Sequence, residues 1–216
     1  MSQDAPIDVT TATFPDTRHV LEAGCDRCAL AADRECLSWG TGSLEADLVV
    51  VGEAPASGNP DATRWRGGNW TGMAYTSRHA GRRIRAMIES LGREAYYTNA
   101  IKCFPADPDD PSTNREPTDG ERRTCRAHLL AEREAIRPTV VLATGKHATT
   151  SVLAADGRSL EGFLETVLEP IRCEGLGLWL LPVLHPSYQD VWLRRLGYDP
   201  ASYVAAIDDR LSTLLE

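Results

Sequence analysis

The sequence predicts an α/β fold in which a mainly parallel, four-stranded sheet is covered by helices on both faces. Three observations predict it. Four short apolar runs, at residues 47–51, 96–101, 139–143 and 178–184, stand well apart in the chain. Helical patterns lie between them, and strands alternating with helices imply parallel pairing with right-handed crossovers. Finally, three of the four runs lead into unusual polar segments, and ligands in such folds bind beyond the carboxyl ends of the strands.

Residues 47–51 read Asp-Leu-Val-Val-Val and stop at Gly52. A continuous β-branched run is what a strand buried on both faces looks like. Residues 80–91 place Ile84, Met87, Ile88 and Leu91 on one helical face. Residues 96–101, Tyr-Tyr-Thr-Asn-Ala-Ile, form the second strand. A long polar helix follows over Asp119–Ile136, with Cys125, Leu129, Leu130 and Ile136 expected to face inward; Thr118 caps it and Glu121 sits three residues on. Residues 139–143 are the third strand and 147–155 a short helix. The fourth strand, 178–184, is interrupted by Pro182 and ends at His185-Pro186. Pro200–Leu215 closes the chain with a stripe of Tyr203, Val204, Ile207, Leu211 and Leu214.

A chain of 216 residues is the right size for one domain. Residues 1–20 are expected to be an N-terminal extension and 21–216 a single domain. The N-terminus lacks the basic start and apolar run of a secretion signal, and the longest apolar run is far too short to span a bilayer. The expectation is a cytoplasmic monomer with no membrane attachment. A net charge of −8 argues against a nonspecific nucleic-acid coat. It does not exclude a DNA enzyme, because the local field at a cleft matters more than the sum. Lysine occurs only at Lys102 and Lys146, so 21 of the 23 basic residues are arginine, a balance that suits a high-salt cytoplasm.

The chemistry-bearing residues are scattered in sequence. Cys25 and Cys28 form a C-x-x-C outside any βαβ unit, which speaks against a thioredoxin-like role. With Cys103 and Cys125 they supply four thiolates, enough for zinc or an iron–sulfur cluster; spacing does not choose between the two. Cys36 is a rival ligand, and Cys173 is a spare. The alternative is that Cys103 and Cys125 are small buried hydrophobes.

In order along the chain stand a Cys pair, Gly52-Glu53-Ala54-Pro55, Thr98-Asn99-Ala100-Ile101-Lys102-Cys103, Cys125 on the next helix, and His185-Pro186-Ser187. This order resembles the family 4, iron–sulfur uracil-DNA glycosylases, from about Cys25 to the C-terminus. The resemblance implies a three-layer α/β/α sandwich, a [4Fe–4S] cluster on Cys25, Cys28, Cys103 and Cys125, and hydrolysis of the N-glycosidic bond of deoxyuridine in DNA. Such chemistry requires a base flipped out of the stack. His185 is then expected to donate to uracil O2 as negative charge grows there, and Glu53 to hold or polarise water near the sugar. Asn99 would donate to O4 and accept from N3–H, a pattern that cytosine reverses. Ala54 belongs to the substrate-binding turn. Lys102 is expected to support its loop or a phosphate.

The family's stacking Phe lies in a Gly-x-Pro-Phe-x-Gly segment. The stretch Gly67-Gly68-Asn69-Trp70-Thr71-Gly72 is taken as its match, making Trp70 the stacking candidate and Tyr75 the runner-up. Arg82, Arg83, Ser187, Arg194 and Arg195 are candidates for DNA contact. Residues 191–193, Val-Trp-Leu, are the candidate wedge for the gap left by the flipped base. Ala56 stands where the family usually has Gly, and residues 74–79 look like an insertion. The loop 104–118 contains no His, so turnover is expected and not the covalent uracil trapping of a related group that uses a loop His. The rival reading is a noncatalytic, zinc-containing nucleic-acid or nucleotide-binding protein. A deaminase is disfavoured, because its His-x-Glu and Pro-Cys-x-x-Cys motifs are missing. Whether a replication clamp or polymerase recruits the protein is left open by the sequence.

Overall fold

The computed structural model describes residues 7–216. The first six residues of the expected extension lie outside the described residues. The rest of it lies on the body: Ile7 packs against the core, Phe14 meets Trp65 edge-on, and the Thr13 N–H donates to the Glu89 carboxylate at 3.1 Å.

The elements are α1 (Leu30–Asp33), β1 (Leu48–Gly52), α2 (Gly68–Thr71), α3 (Ala80–Ser90), β2 (Tyr96–Asn99), α4 (Asp119–Ile136), β3 (Val140–Thr144), α5 (Lys146–Ala155), β4 (Ile171–Cys173), β5 (Leu178–Val183), α6 (Gln189–Trp192) and α7 (Pro200–Leu215), with short 3-10 turns between some of them. The sheet has five strands in the order β2-β1-β3-β5-β4. The four long strands are parallel. The fifth, β4, is a three-residue antiparallel partner to β5. The expected count of four omitted it because three residues carry no periodicity, and its hairpin partner Leu178–Val183 already read as a complete strand.

Three layers follow from the alternation of side chains along each strand. Leu48 and Val50 of β1 face a core shared with Ile84, Met87 and Ile88 of α3 and Tyr203, Ile207 and Leu211 of α7. Val49 and Val51 face the other way, against Leu129 and Ile136 of α4 and Val152 and Leu153 of α5. The ends of α4 follow from its sequence: Thr118 and Glu121 form a capping box, and Arg137 stops it in the left-handed conformation. Leu130 does not face inward; it is 37% exposed. At 100° per residue it lies more than a third of a turn off the stripe Cys125, Leu129, Glu132, Ile136, and the buried polar residues His128 and Glu132 occupy inward positions instead.

The outer edge of β2 is covered as well. Thr41 exchanges backbone hydrogen bonds with Tyr97 at 3.0 and 2.8 Å, which brings the cysteine-bearing N-terminal stretch against that edge. Among the described residues, no helix is long and apolar enough to cross a membrane.

Candidate functional site

Four strand ends converge on one corner. Gly52 at the end of β1 is in register with Asn99 at the end of β2. A Cβ on Gly52 would stand 2.4 Å from the Asn99 Oδ1 and 3.0 Å from the Tyr75 hydroxyl, so glycine alone permits this approach. The Tyr75 hydroxyl shares a 2.7 Å hydrogen bond with Thr144 Oγ1 at the end of β3. Gly145 follows with φ of +96°, and a Cβ there would meet the His185 Cβ at 3.0 Å. Contacts therefore run from Asn99 through Gly52, Tyr75, Thr144 and Gly145 to His185. Glu53 joins through its backbone: its carbonyl accepts the Ile101 N–H at 2.9 Å, and the Gly52 carbonyl accepts the Ala100 N–H at 2.8 Å.

The electrostatics of this corner are set by burial. Desolvation raises the Glu53 carboxyl to about 7; the Glu116 charge adds to the rise and Arg122 opposes it. Burial lowers the His185 pKa, and His147 lowers it further. His185 Nδ1 accepts the Ser187 N–H at 3.3 Å. In the neutral ring this assigns the proton to Nε2, leaving one free donor. Around these groups stands a polar layer that the sequence did not announce. His147 Nδ1 lies 3.1 Å from Glu116 Oε1, and Arg122 lies 3.6 Å from the same oxygen.

The two aromatic candidates part company. Tyr75 is buried, abuts Gly52 beside Asn99, and has a left-handed φ of 55°, a strained conformation for an aromatic residue. Arg85 holds it there, donating to the Tyr75 and Ala74 carbonyls at 3.0 Å each. Trp70 lies on α2, beneath the Arg66 guanidinium, with its carbonyl 3.7 Å from Cys36 Sγ. Tyr75 therefore lies beside Gly52 and Asn99, and the glycine pattern around Trp70 forms a short helical turn.

Of the candidate DNA contacts, Arg194, Arg195 and Ser187 are exposed. Arg195 lies over the Trp192 ring at 4.8 Å. Arg82 is half-buried over Trp65 at 5.7 Å, and Arg83 is half-buried on the same helix. Of the candidate wedge residues, Leu193 is buried at 3% exposure and Val191 is 56% exposed; Tyr188, its ring 6.1 Å from that of His185, is 60% exposed. A hollow of about 160 Å³ between α4 and α5 is lined by Arg122, Arg123 and Arg126. No sequence signal marked it, because three arginines on one helix face read as a solvated surface.

The four cysteines meet on the far side of Asn99. Cys25, Cys103 and Cys125 are buried with Leu30, Trp39 and Ile101, and Cys28 and Ala54 pack against them. Burial pushes the Cys103 thiol up to about 11, with Cys125 and Cys28 adding to the rise and Arg34 opposing it. Cys125 is raised in the same way, and feels Cys28 and Cys25. Two donors point at sulfur: Arg34 Nη1 reaches Cys103 Sγ at 3.4 Å and the Lys102 N–H reaches Cys125 Sγ at 3.4 Å. The set fits a metal group, because apolar burial of four thiols is relieved when a bound cation turns them into thiolates. Cys36 and Cys173 stand apart, the first by Trp70 and the second in the core behind β4. A further possible metal-binding group was not foreseen: Glu22, Cys25 and His128 bring ligand atoms within 4.8 Å of one another.

Comparison with known proteins adds a second line. Residues 39–208 match the family model described as the uracil DNA glycosylase superfamily. The chain is 30% identical over 167 residues to the type-4 uracil-DNA glycosylase of Thermotoga maritima, covering 76% of this chain and 77% of that one. It is 26% identical over 165 residues to the type-4 enzyme of Saccharolobus solfataricus, covering 76% and 71%. A type-5 uracil-DNA glycosylase of Pyrobaculum aerophilum is 30% identical over 179 residues, covering 76% and 71%.

Proposed function

The chain belongs to the uracil DNA glycosylase superfamily and to its type-4 group, and from that premise we propose that it hydrolyses the N-glycosidic bond of deoxyuridine in DNA with the residues gathered at the strand ends. The single observation that carries the assignment of roles is the convergence of Glu53, Asn99, Tyr75 and His185 on one corner.

The reaction builds negative charge on the departing uracil and positive charge on the sugar. His185 meets the first. Its Nδ1 is occupied by the Ser187 N–H, so the neutral ring presents Nε2–H to uracil O2, and one such donor is worth roughly 3–4 kcal/mol. A neutral ring suits this role because it donates without placing a full charge in a buried site. Glu53 meets the second. With its carboxyl raised to about 7, a large fraction is ionised near neutrality; the carboxylate lies opposite the cationic sugar and then takes a proton from the attacking water, becoming neutral as the sugar's charge is quenched.

Asn99 reads the base. Its own hydrogen bonds to the protein run through its backbone, which leaves the carboxamide to donate to O4 and accept from N3–H. Tyr75, held by Arg85 and Thr144, offers the ring against which the base packs. Arg194, Arg195 and Ser187 border the His185 loop and take phosphates, and Tyr188 with Val191 fills the vacated space in the stack. Arg123 and Arg126 extend the cationic surface along α4.

Cys25, Cys28, Cys103 and Cys125 would hold a [4Fe–4S] cluster. When bound, the cluster would tie the N-terminal stretch, the end of β2 and α4 together, a structural contribution. Residues 21–216 are read as one catalytic domain, with 1–20 an extension, acting as a cytoplasmic monomer. The test is anaerobic purification followed by incubation with a uracil-containing oligonucleotide. Alkali-labile breaks at uracil and a brown protein absorbing near about 400 nm are expected; a colourless protein that leaves the oligonucleotide intact overturns the reading in favour of a zinc-containing binding protein.

A further inference from the structure

Lys102 is wholly buried, and each of its polar groups is engaged. Its Nζ donates to the Asn99 carbonyl at 2.7 Å, to Thr98 Oγ1 at 2.6 Å and to Glu132 Oε2 at 2.6 Å. Its backbone N–H points at Cys125 Sγ, and its carbonyl accepts the Ser38 N–H at 2.7 Å. The side chain is 0% exposed and that of Glu132 2%, so neither touches solvent and the phosphate role considered for Lys102 is excluded. Glu132, on α4, also accepts from Thr98 Oγ1 at 2.8 Å and from the Tyr96 hydroxyl at 3.2 Å.

A buried ion pair of this kind is a costly way to stabilise a fold. Well-packed apolar side chains of similar volume often serve as well or better. What the pair does that apolar residues cannot is fix a carbonyl by a charged donor of defined direction. The fixed carbonyl belongs to Asn99. The turn it begins also grips the other reacting group, because Ala100 and Ile101 donate their N–H groups to the carbonyls of Gly52 and Glu53. The same lysine is the chain neighbour of Cys103, and its N–H meets the thiol of Cys125, which stands two turns before Glu132 on the same face of α4.

We propose that Lys102 and Glu132 are a positioning pair: they set the orientation of Asn99 and Glu53 and couple the four-cysteine site to the base pocket. Neither is a catalytic residue, since neither reaches the strand-end corner with its side chain. The inference rests on the glycosylase reading given above.

The experiment compares Lys102→Met, Glu132→Gln and the double variant Lys102→Met/Glu132→Met, each purified anaerobically as the full chain. Three quantities are measured: thermal midpoint with visible absorbance, affinity for an abasic-site duplex, and single-turnover excision of uracil at saturating DNA. Lys102→Met alone strands a buried carboxylate and is expected to lower the thermal midpoint. The double variant removes both charges and is expected to recover the midpoint, the absorbance and the DNA affinity, yet to excise on the order of 100-fold more slowly, the cost of a misplaced reacting group. Glu132→Gln keeps an oxygen for Nζ and is expected to stay within about tenfold of the parent rate. A double variant that folds and excises at the parent rate overturns the proposal and leaves the pair a stabilising element. If the double variant does not fold, Glu132→Gln and Thr98→Val decide: unchanged single-turnover rates in both overturn it, and a loss in Thr98→Val with unchanged DNA affinity supports it. An inactive parent protein would instead refute the glycosylase reading.

Discussion

The Ser187 N–H donates to Nδ1 of His185 at 3.3 Å, and this bond decides which nitrogen of the neutral ring carries the proton. His185→Ala should therefore reduce single-turnover excision about 10²–10³-fold while leaving the affinity for an abasic duplex nearly unchanged. His185→Gln, which restores a donor without a ring, should recover part of the loss. Equal losses in rate and binding would remove His185 from the chemistry.

Glu53 gives the reaction its expected acid limb. With a carboxyl raised to about 7, excision should fall about tenfold per pH unit below that value, as the base becomes protonated. The stability effect has the opposite sense. A carboxyl whose native pKa exceeds its unfolded value binds its proton more tightly when folded, so stability declines as pH rises from the unfolded value to about 7. Glu53→Gln should thus raise the thermal midpoint in mildly alkaline buffer and leave it unchanged in acid; melting curves across pH check both signs.

Asn99→Asp should admit cytosine, whose donor pattern at the ring edge is the reverse of uracil's. Excision of uracil should fall and excision at cytosine should become detectable. Survival of both uracil activity and cytosine rejection would release Asn99 from the reading role.

Tyr75→Ala should cost about 5–150-fold in excision, the range of a stacking contact of roughly 1–3 kcal/mol. Tyr75→Phe isolates the Thr144 hydrogen bond and should cost less. Trp70→Ala should act mainly on thermal stability, through the α2 turn and Cys36. A larger kinetic effect at Trp70 than at Tyr75 would reverse this ranking.

Replacing Arg123 and Arg126 by Gln should flatten the dependence of log affinity on log salt by nearly one unit for each phosphate no longer neutralised, with single-turnover excision at saturating DNA unaltered. An unchanged slope would detach the α4 arginines from the DNA surface.

Much of the scaffold was legible because its signals are local. Thr118 with Glu121, and Pro200, mark helix starts within a few residues, and both long helices begin there. Short apolar runs located the four parallel strands, two of them ending at Gly52 and Gly145. Signals that depend on distant partners were not legible. Glu132 and His128 carry no local signal, yet each is buried against side chains from far along the chain, Lys102 and Trp39 respectively. Trp70 stands ahead of Tyr75 on motif spacing, because spacing cannot show that a positive φ and an arginine clamp deliver the later aromatic to Gly52. Leu130 misled for a simpler cause: apolarity was read as inwardness at a position the helical period turns outward.

Only four steps of chain separate Asn99 from Cys103. Over so short a span the two cannot drift independently: a lineage that discards the thiol must find a new anchor for the loop in the same event, and one that alters the loop risks the thiol. A substitution at either end of this stretch should accordingly be felt at the other, since the N–H groups of Ala100 and Ile101 tie the span between them to the first strand's end.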